Sequence, residues 1–292
     1  MRRLIINADD LGLTAGVNRA VSEACRLGVV SSATAMANSR AVEDAVAAFR
    51  SCGNRPSLGC HVVLVDGEPL LPPSQVSTLL ARDGDRPQFR DGFFDFAACA
   101  IRGQIDASQI EAEATAQIRK IQASGIQLSH VDTHKHVHLL PAILRPLLRV
   151  AKSCGVRAVR NPFAPIKPLA FAHLVRRPHL WKRYSEVKIL RGLASSFRRT
   201  VADADMVTTD GTFGIVATGA LDERLFHAIV GCIPEGTWEF VCHPGYNDEE
   251  LQTVRTRLRE SREQELRVLT SDAARQALKD HGIEVISYWD LR

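Results

Sequence analysis

The chain has 292 residues, 45% hydrophobic and 24% charged, with a net charge of +4. That is the balance of a globular chain of one or two domains, and a single α/β barrel also reaches this length. Seven cysteines without a C-x-x-C pair argue against a disulfide framework or a zinc ribbon and suit a reducing cytosol.

The opening MRRLIINADD reaches Asp9 after a short apolar run, so it reads as a first strand over 3–7 rather than a signal peptide or a membrane span. A helix over 14–27 follows, with Thr14 as its N-cap, and then strands over 30–37 and 58–64. Helical period returns over 107–123, a strand is expected over 127–132, and Pro141 opens a helix to 153. Short strands over 158–160 and 238–242 come next. Helices over 249–269 and 272–280 and a strand over 284–288 finish the chain. The charges of ELQTVRTRLRESREQELRVL are expected on a solvated helix face. Apolar runs alternating with helical segments predict βα units around a largely parallel sheet.

Charge is unevenly spread. Residues 160–199 hold ten Lys or Arg and one acid, a balance of +9, which leaves −5 for the rest of the chain. Phe163, Leu169, Phe171, Leu174, Leu180, Trp181, Ile189, Leu190, Leu193 and Phe197 lie among these charges. A basic, apolar segment suits an anionic membrane surface or an amphiphilic ligand, and equally a solvated excursion packed on the domain. Its prolines at 162, 165, 168 and 178 argue against one continuous helix. The expected organisation is therefore a single domain over 1–292 with an insertion at 161–200. The aromatic spacing matches no nucleic-acid module, and no nucleic-acid partner is expected.

Polar residues collect where the strands end. Asp9 and Asp10 follow the first strand, His61 lies in the third, His134 follows QLSHVD, Arg160 ends VRAVR and His243 follows WEFVC. In barrels of βα units that end of the strands carries the catalytic side chains. An acid and two imidazoles, for which Asp10, His61 and His134 can serve, give a divalent ion three ligands and leave a position open for water. Such an ion brings the pKa of its water down to about 7 and polarises a carbonyl. Asp9 can then take the proton, His243 can protonate the leaving amine, and Arg160 can hold Asp9 ionised through a charge-assisted hydrogen bond. The stretch HVDTHKHVH has more candidates than one ion needs. If extended, it would put Asp132, His134, His136 and His138 on one face, so periodicity does not choose among them.

NADD at the start, CH at 60–61, HVDTHKHVHLLP at 130–141 and CHPG at 242–245 resemble the YdjC-type carbohydrate deacetylases, also called the chitooligosaccharide deacetylase family. The resemblance spans nearly the whole chain. It implies a distorted (β/α) barrel of the polysaccharide-deacetylase kind, an α/β fold, and metal-dependent hydrolysis of an N-acetyl group from a sugar. It assigns the metal to Asp10, His61 and His134 and the general-base role to Asp9. The acid role of His243 and the orienting role of Arg160 follow the wider polysaccharide deacetylase pattern. Asp132, His136 and His138 are left as supports for the ligands or as groups facing the substrate. The ion expected is zinc or magnesium.

Within the family the chain is most similar to the hopanoid-biosynthesis branch, which implies N-acetylglucosaminyl bacteriohopanetetrol as substrate. Residues 161–200 would then make peripheral contact with the inner face of a membrane from the cytoplasm. Leu11 after NADD, Cys60 and Val62 depart from the usual family surroundings and bear on sugar specificity. The alternatives are a deacetylase of soluble chitooligosaccharides, a metal-dependent phosphoesterase or sugar isomerase, and a membrane-associated binding protein. A homodimer is compatible with the sequence, which does not fix the oligomeric state.

Overall fold

The apolar run that opens the chain forms strand β1 (Arg2–Leu11) in a computed structural model that describes residues 1–53, 56–81, 86–167 and 169–291. Leu4, Ile5 and Ile6 are wholly buried, because a parallel strand in an α/β fold is covered on both faces. The other strands are β2 (Ser32–Ala35), β3 (Ser57–Val62), β4 (His130–Thr133), β5 (Ala158–Val159), β6 (Thr212–Phe213), β7 (Gly236–Cys242) and β8 (Ile283–Ile286). All pair in parallel in the order β5-β4-β3-β2-β1-β7-β6, with β8 against the first half of β1.

The sheet curls until its ends meet. Val159 N–H donates to the Val207 carbonyl and Val207 N–H to the Arg157 carbonyl, each at 3.0 Å. A few residues on, Asp210 N–H donates to the Thr237 carbonyl at 2.8 Å, and β6 pairs with β7. Residues 207–213 thus join β5 to β7 and close a distorted (β/α) barrel. The two-residue β6 is not among the strands expected from the sequence.

Helices cover the strands: α1 (Ala15–Leu27), α2 (Val42–Arg50), α3 (Gly92–Ile101), α4 (Ala107–Gln122), α5 (Pro141–Ser153), α6 (Phe171–Val175), α7 (Trp181–Leu190), α8 (Ala194–Asp203), α9 (Glu223–Val230), α10 (Glu249–Thr253), α11 (Glu260–Thr270) and α12 (Asp272–Asp280). The Thr14 hydroxyl accepts from Val17 N–H at 3.2 Å, the capping bond expected of that residue, and α5 begins on its proline.

One expectation changes. The helix over 249–269 is broken into α10 and α11, and the charges of α11 are not all solvated, since Arg262 and Glu265 are 1% and 2% exposed. Both find partners at the ends of strands, which a run of alternating charges does not reveal. Residues 161–200 hold the short helices α6, α7 and most of α8 rather than one continuous helix, with Pro178 opening a single 3-10 turn before α7. Pro168 lies outside the described residues. Phe163, Leu169, Leu174, Leu180 and Phe197 belong to the main core, while Ile166 and Ile189 are exposed. No helix among the described residues is long and apolar enough to cross a membrane.

Candidate active site

Asp9 and Asp10 are neighbours, and on a regular strand their side chains would point to opposite faces. The register of β1 against β2 shifts between Ala8, opposite Ala33, and Leu11, opposite Ala35, so β1 carries one extra residue there. Asp10 sits within this bulge at φ 65°. The bulge turns both carboxylates toward the same end of the barrel, at the cost of a backbone conformation that L residues seldom adopt.

His61 on β3 lies opposite Asp132 on β4. Its Nδ1 is 2.9 Å from both carboxylate oxygens of Asp132 and donates to them, so Nε2 faces the opposite way. That nitrogen lies 3.3 Å from Nδ1 of His134 and 3.6 Å from Oδ1 of Asp10, and His134 Nδ1 is also 3.6 Å from Oδ1 of Asp10. Asp10 Oδ1 is buried and has no hydrogen-bond partner. Tetrahedral zinc with ligands at about 2.0–2.1 Å keeps them about 3.3–3.4 Å apart, so this triangle fits a divalent ion. Asp10, His61 and His134 could therefore hold one. In a second set of donors, Asp9, His61 and Asp132, both carboxylates are already engaged by Arg160.

Arg160, without solvent exposure, links three carboxylates. Nη1 and Nη2 donate to Asp9 Oδ2 and Oδ1 at 2.8 and 2.6 Å, Nε donates to Glu239 at 2.9 Å, and Nη1 also meets Asp132. Asn7 and Thr34 add bonds to Asp9 at 2.8 and 3.1 Å. Burial alone would raise the Asp9 carboxyl, but Arg160, His61 and His243 outweigh it and hold Asp9 well below the usual carboxylate range. His243 Nε2 stands 3.9 Å from Asp9 Oδ2. Burial draws this imidazole below its ordinary value against the pull of Asp10, Glu265 and Asp9.

The chain does not stay extended beyond Thr133. Residues 134–139 turn into a 3-10 segment in which Lys135 and His136 both have φ 54°, so Asp132, His134, His136 and His138 do not share one face. His138 is fully buried: Nε2 donates to the Arg160 carbonyl at 3.1 Å, and Nδ1 accepts from the Thr133 hydroxyl at 2.6 Å. Burial and Arg160 push its pKa down to about 3, so it is a neutral tie between the ends of β4 and β5. His136 is half-buried with an unpartnered Nδ1.

Four further residues belong to this constellation: Glu239, Tyr288, Arg262 and Glu265. Tyr288 OH donates to Glu239 at 2.7 Å and its ring stacks on His130 at 3.5 Å. Arg262 donates to Asp10 at 2.6 Å, and Glu265 accepts from His243 N–H at 2.6 Å. A glutamate inside the apolar strand WEFVC was a legible signal for Glu239, whereas nothing marked Arg262 and Glu265 among their charged neighbours.

Known proteins share this arrangement of sequence and fold. The chain is 32% identical over 296 residues to a carbohydrate deacetylase of Brevibacillus brevis, with 99% of each chain covered. It is 27% identical to a carbohydrate deacetylase of Thermoanaerobacter pseudethanolicus over the whole of both chains. A chitooligosaccharide deacetylase of an Enterobacter species is 29% identical, with 99% of this chain and 98% of that one covered. A crystal structure of an Enterococcus faecalis protein, described as a proposed cellobiose-phosphate cleavage protein, superposes with a TM-score of 0.79 at 24% identity over 99% of this chain and 98% of that chain, a likeness of fold. The model of the YdjC-like protein family matches residues 3–280, and the chain belongs to that family.

Proposed function

We propose that this protein hydrolyses the N-acetyl amide of an N-acetylglucosamine unit, releasing acetate and the free amine. The observation that carries the reading is the triangle of Asp10 Oδ1, His61 Nε2 and His134 Nδ1 beside the arginine-held carboxylate of Asp9. Relatives named as carbohydrate and chitooligosaccharide deacetylases support the substrate class.

Asp10, His61 and His134 would hold the ion, with Asp132 fixing the His61 tautomer. When bound, that ion supplies Lewis acidity and a water acidic enough to react near neutral pH. Asp9 remains ionised throughout the working range and takes the proton of the attacking water. The oxygen of that water bonds to the amide carbon. Being a weak base, Asp9 gives the proton up readily, and His243 at 3.9 Å is the nearby imidazole that can receive it. His243 starts neutral and therefore acts as an acid only once loaded. Its proton goes to the nitrogen as the carbon–nitrogen bond breaks, giving amine and acetate.

The favoured acceptor of this chemistry is a lipid-linked glucosamine conjugate such as N-acetylglucosaminyl bacteriohopanetetrol. Exposed Ile166 and Ile189 among the basic residues of 161–200 support contact with an amphiphile. The test is mass spectrometry of that conjugate and of diacetylchitobiose after incubation with ion-loaded protein, with Asp9→Asn as control. Loss of one acetyl from the conjugate alone supports the full reading. Loss from the soluble sugar alone keeps the chemistry and overturns the lipid, and loss from neither overturns the deacetylase.

A further inference from the structure

Arg262 reaches the site from α11, outside the barrel, and its environment is unusually constrained. Its Nη2 donates to Asp10 Oδ2 at 2.6 Å, Nε donates to the Leu258 carbonyl at 3.1 Å, and the residue is 1% exposed. Its own carbonyl accepts from Gly245 N–H at 3.2 Å, in the loop that follows His243. A Cβ at Gly245 would stand 2.9 Å from Arg262 Cδ and 3.1 Å from Val17 Cγ2, so only glycine there lets the arginine lie against the loop. One turn later Glu265 accepts from His243 N–H at 2.6 Å and from Gly219 N–H at 3.2 Å.

We infer that Arg262 is a positioning residue for Asp10, and that α11 is a clamp that sets both ends of the site through Arg262 and Glu265. A carboxylate on a backbone at φ 65° can present either oxygen to the imidazoles. Arg262 occupies Oδ2 and leaves Oδ1, buried and unpartnered, 3.6 Å from His61 Nε2 and His134 Nδ1. The inference rests on the reading that these three residues hold the ion.

Charge and position predict opposite results, which makes the idea testable. A guanidinium beside a cation site repels the cation, so loss of its charge alone would tighten ion binding. Loss of its positioning would loosen it, since groups that orient ligands are typically worth about 10–100-fold in metal affinity. Zinc titration by calorimetry, together with the cobalt(II) absorption spectrum as a reporter of ligand geometry, distinguishes the two. Arg262→Gln should weaken zinc binding about 10–100-fold and shift the cobalt bands. Arg262→Lys, which keeps the charge but not the fork, should fall between it and the parent. Gly245→Ala, which displaces the arginine without removing it, should also weaken binding. Zinc bound by folded Arg262→Gln as tightly as by the parent, or more tightly, would overturn the inference. If that variant does not fold, unchanged or tighter binding in the other two overturns it equally. A parent protein that binds no zinc or cobalt overturns the reading of the site itself, and the inference with it.

Discussion

Asp9 and Arg160 stand 151 residues apart in the chain and meet through two hydrogen bonds of 2.6 and 2.8 Å, where the arginine has no contact with solvent. The same guanidinium serves Asp132 and Glu239, so one cation compensates three buried carboxylates. Its removal leaves them facing one another at low dielectric. Arg160→Leu should cost about 3–5 kcal/mol of stability, the usual penalty for breaking a buried pair. Urea unfolding at neutral pH measures it. Arg160→Lys restores the charge without the bidentate geometry and should recover part of the stability but little of the activity. Full activity in the lysine variant would show that charge alone suffices.

The ion-free protein should lose stability as the solution becomes alkaline. Burial lowers the His61 imidazole, but Asp132, Asp9 and Asp10 outweigh it and raise the pKa to about 9 from the usual 6.5. A folded value above the unfolded one gives stability that is fully present below pH 6.5 and is lost as pH rises through 9. Asp9 has the opposite sign, and its contribution is lost only in acid, as pH falls below the ordinary carboxylate range. Melting temperatures in chelator should therefore decline between pH 6.5 and 9. Ion-loaded protein should decline less, because metal displaces the proton, and loading at pH 7 should release about one proton. A flat ion-free profile would mean that His61 is neutral.

Gly59→Ala should reach the site through packing alone. A Cβ there would stand 2.5 Å from the His130 ring, which stacks on Tyr288, whose hydroxyl holds Glu239 against Arg160. Overpacking of this kind typically costs about 1–3 kcal/mol. Thermal unfolding tests the cost, and turnover should fall with binding of the ion unchanged. Wild-type turnover in the variant would separate the His130–Tyr288 stack from catalysis.

The exposed side chains of 161–200 can be tested without deleting a segment that contributes to the core. Replacing Ile166 and Ile189, 64% and 79% exposed, by serine should leave stability within about 0.5 kcal/mol. KM should rise for the lipid-linked sugar and stay constant for diacetylchitobiose. An equal KM for both substrates before and after the change would exclude lipid docking there.

Sequence alone determined the strand–helix alternation and the polar strand ends, because periodicity and chain punctuation are local properties. Thr14 and Pro141 marked helix starts for the same reason. The HVDTHKHVH stretch marked the region of the site, but periodicity could not choose its ligand, because the decision depends on a turn with left-handed residues at Lys135 and His136. Tertiary structure also decided how neighbours Asp9 and Asp10 come to face one site, since a bulge in β1 overrides alternation. It brought Glu239 and Tyr288 to Arg160 and buried Arg262 and Glu265, which looked like a solvated face. The reason is physical: burial of a charge is decided by partners distant in sequence, and those partners are set only when the barrel closes.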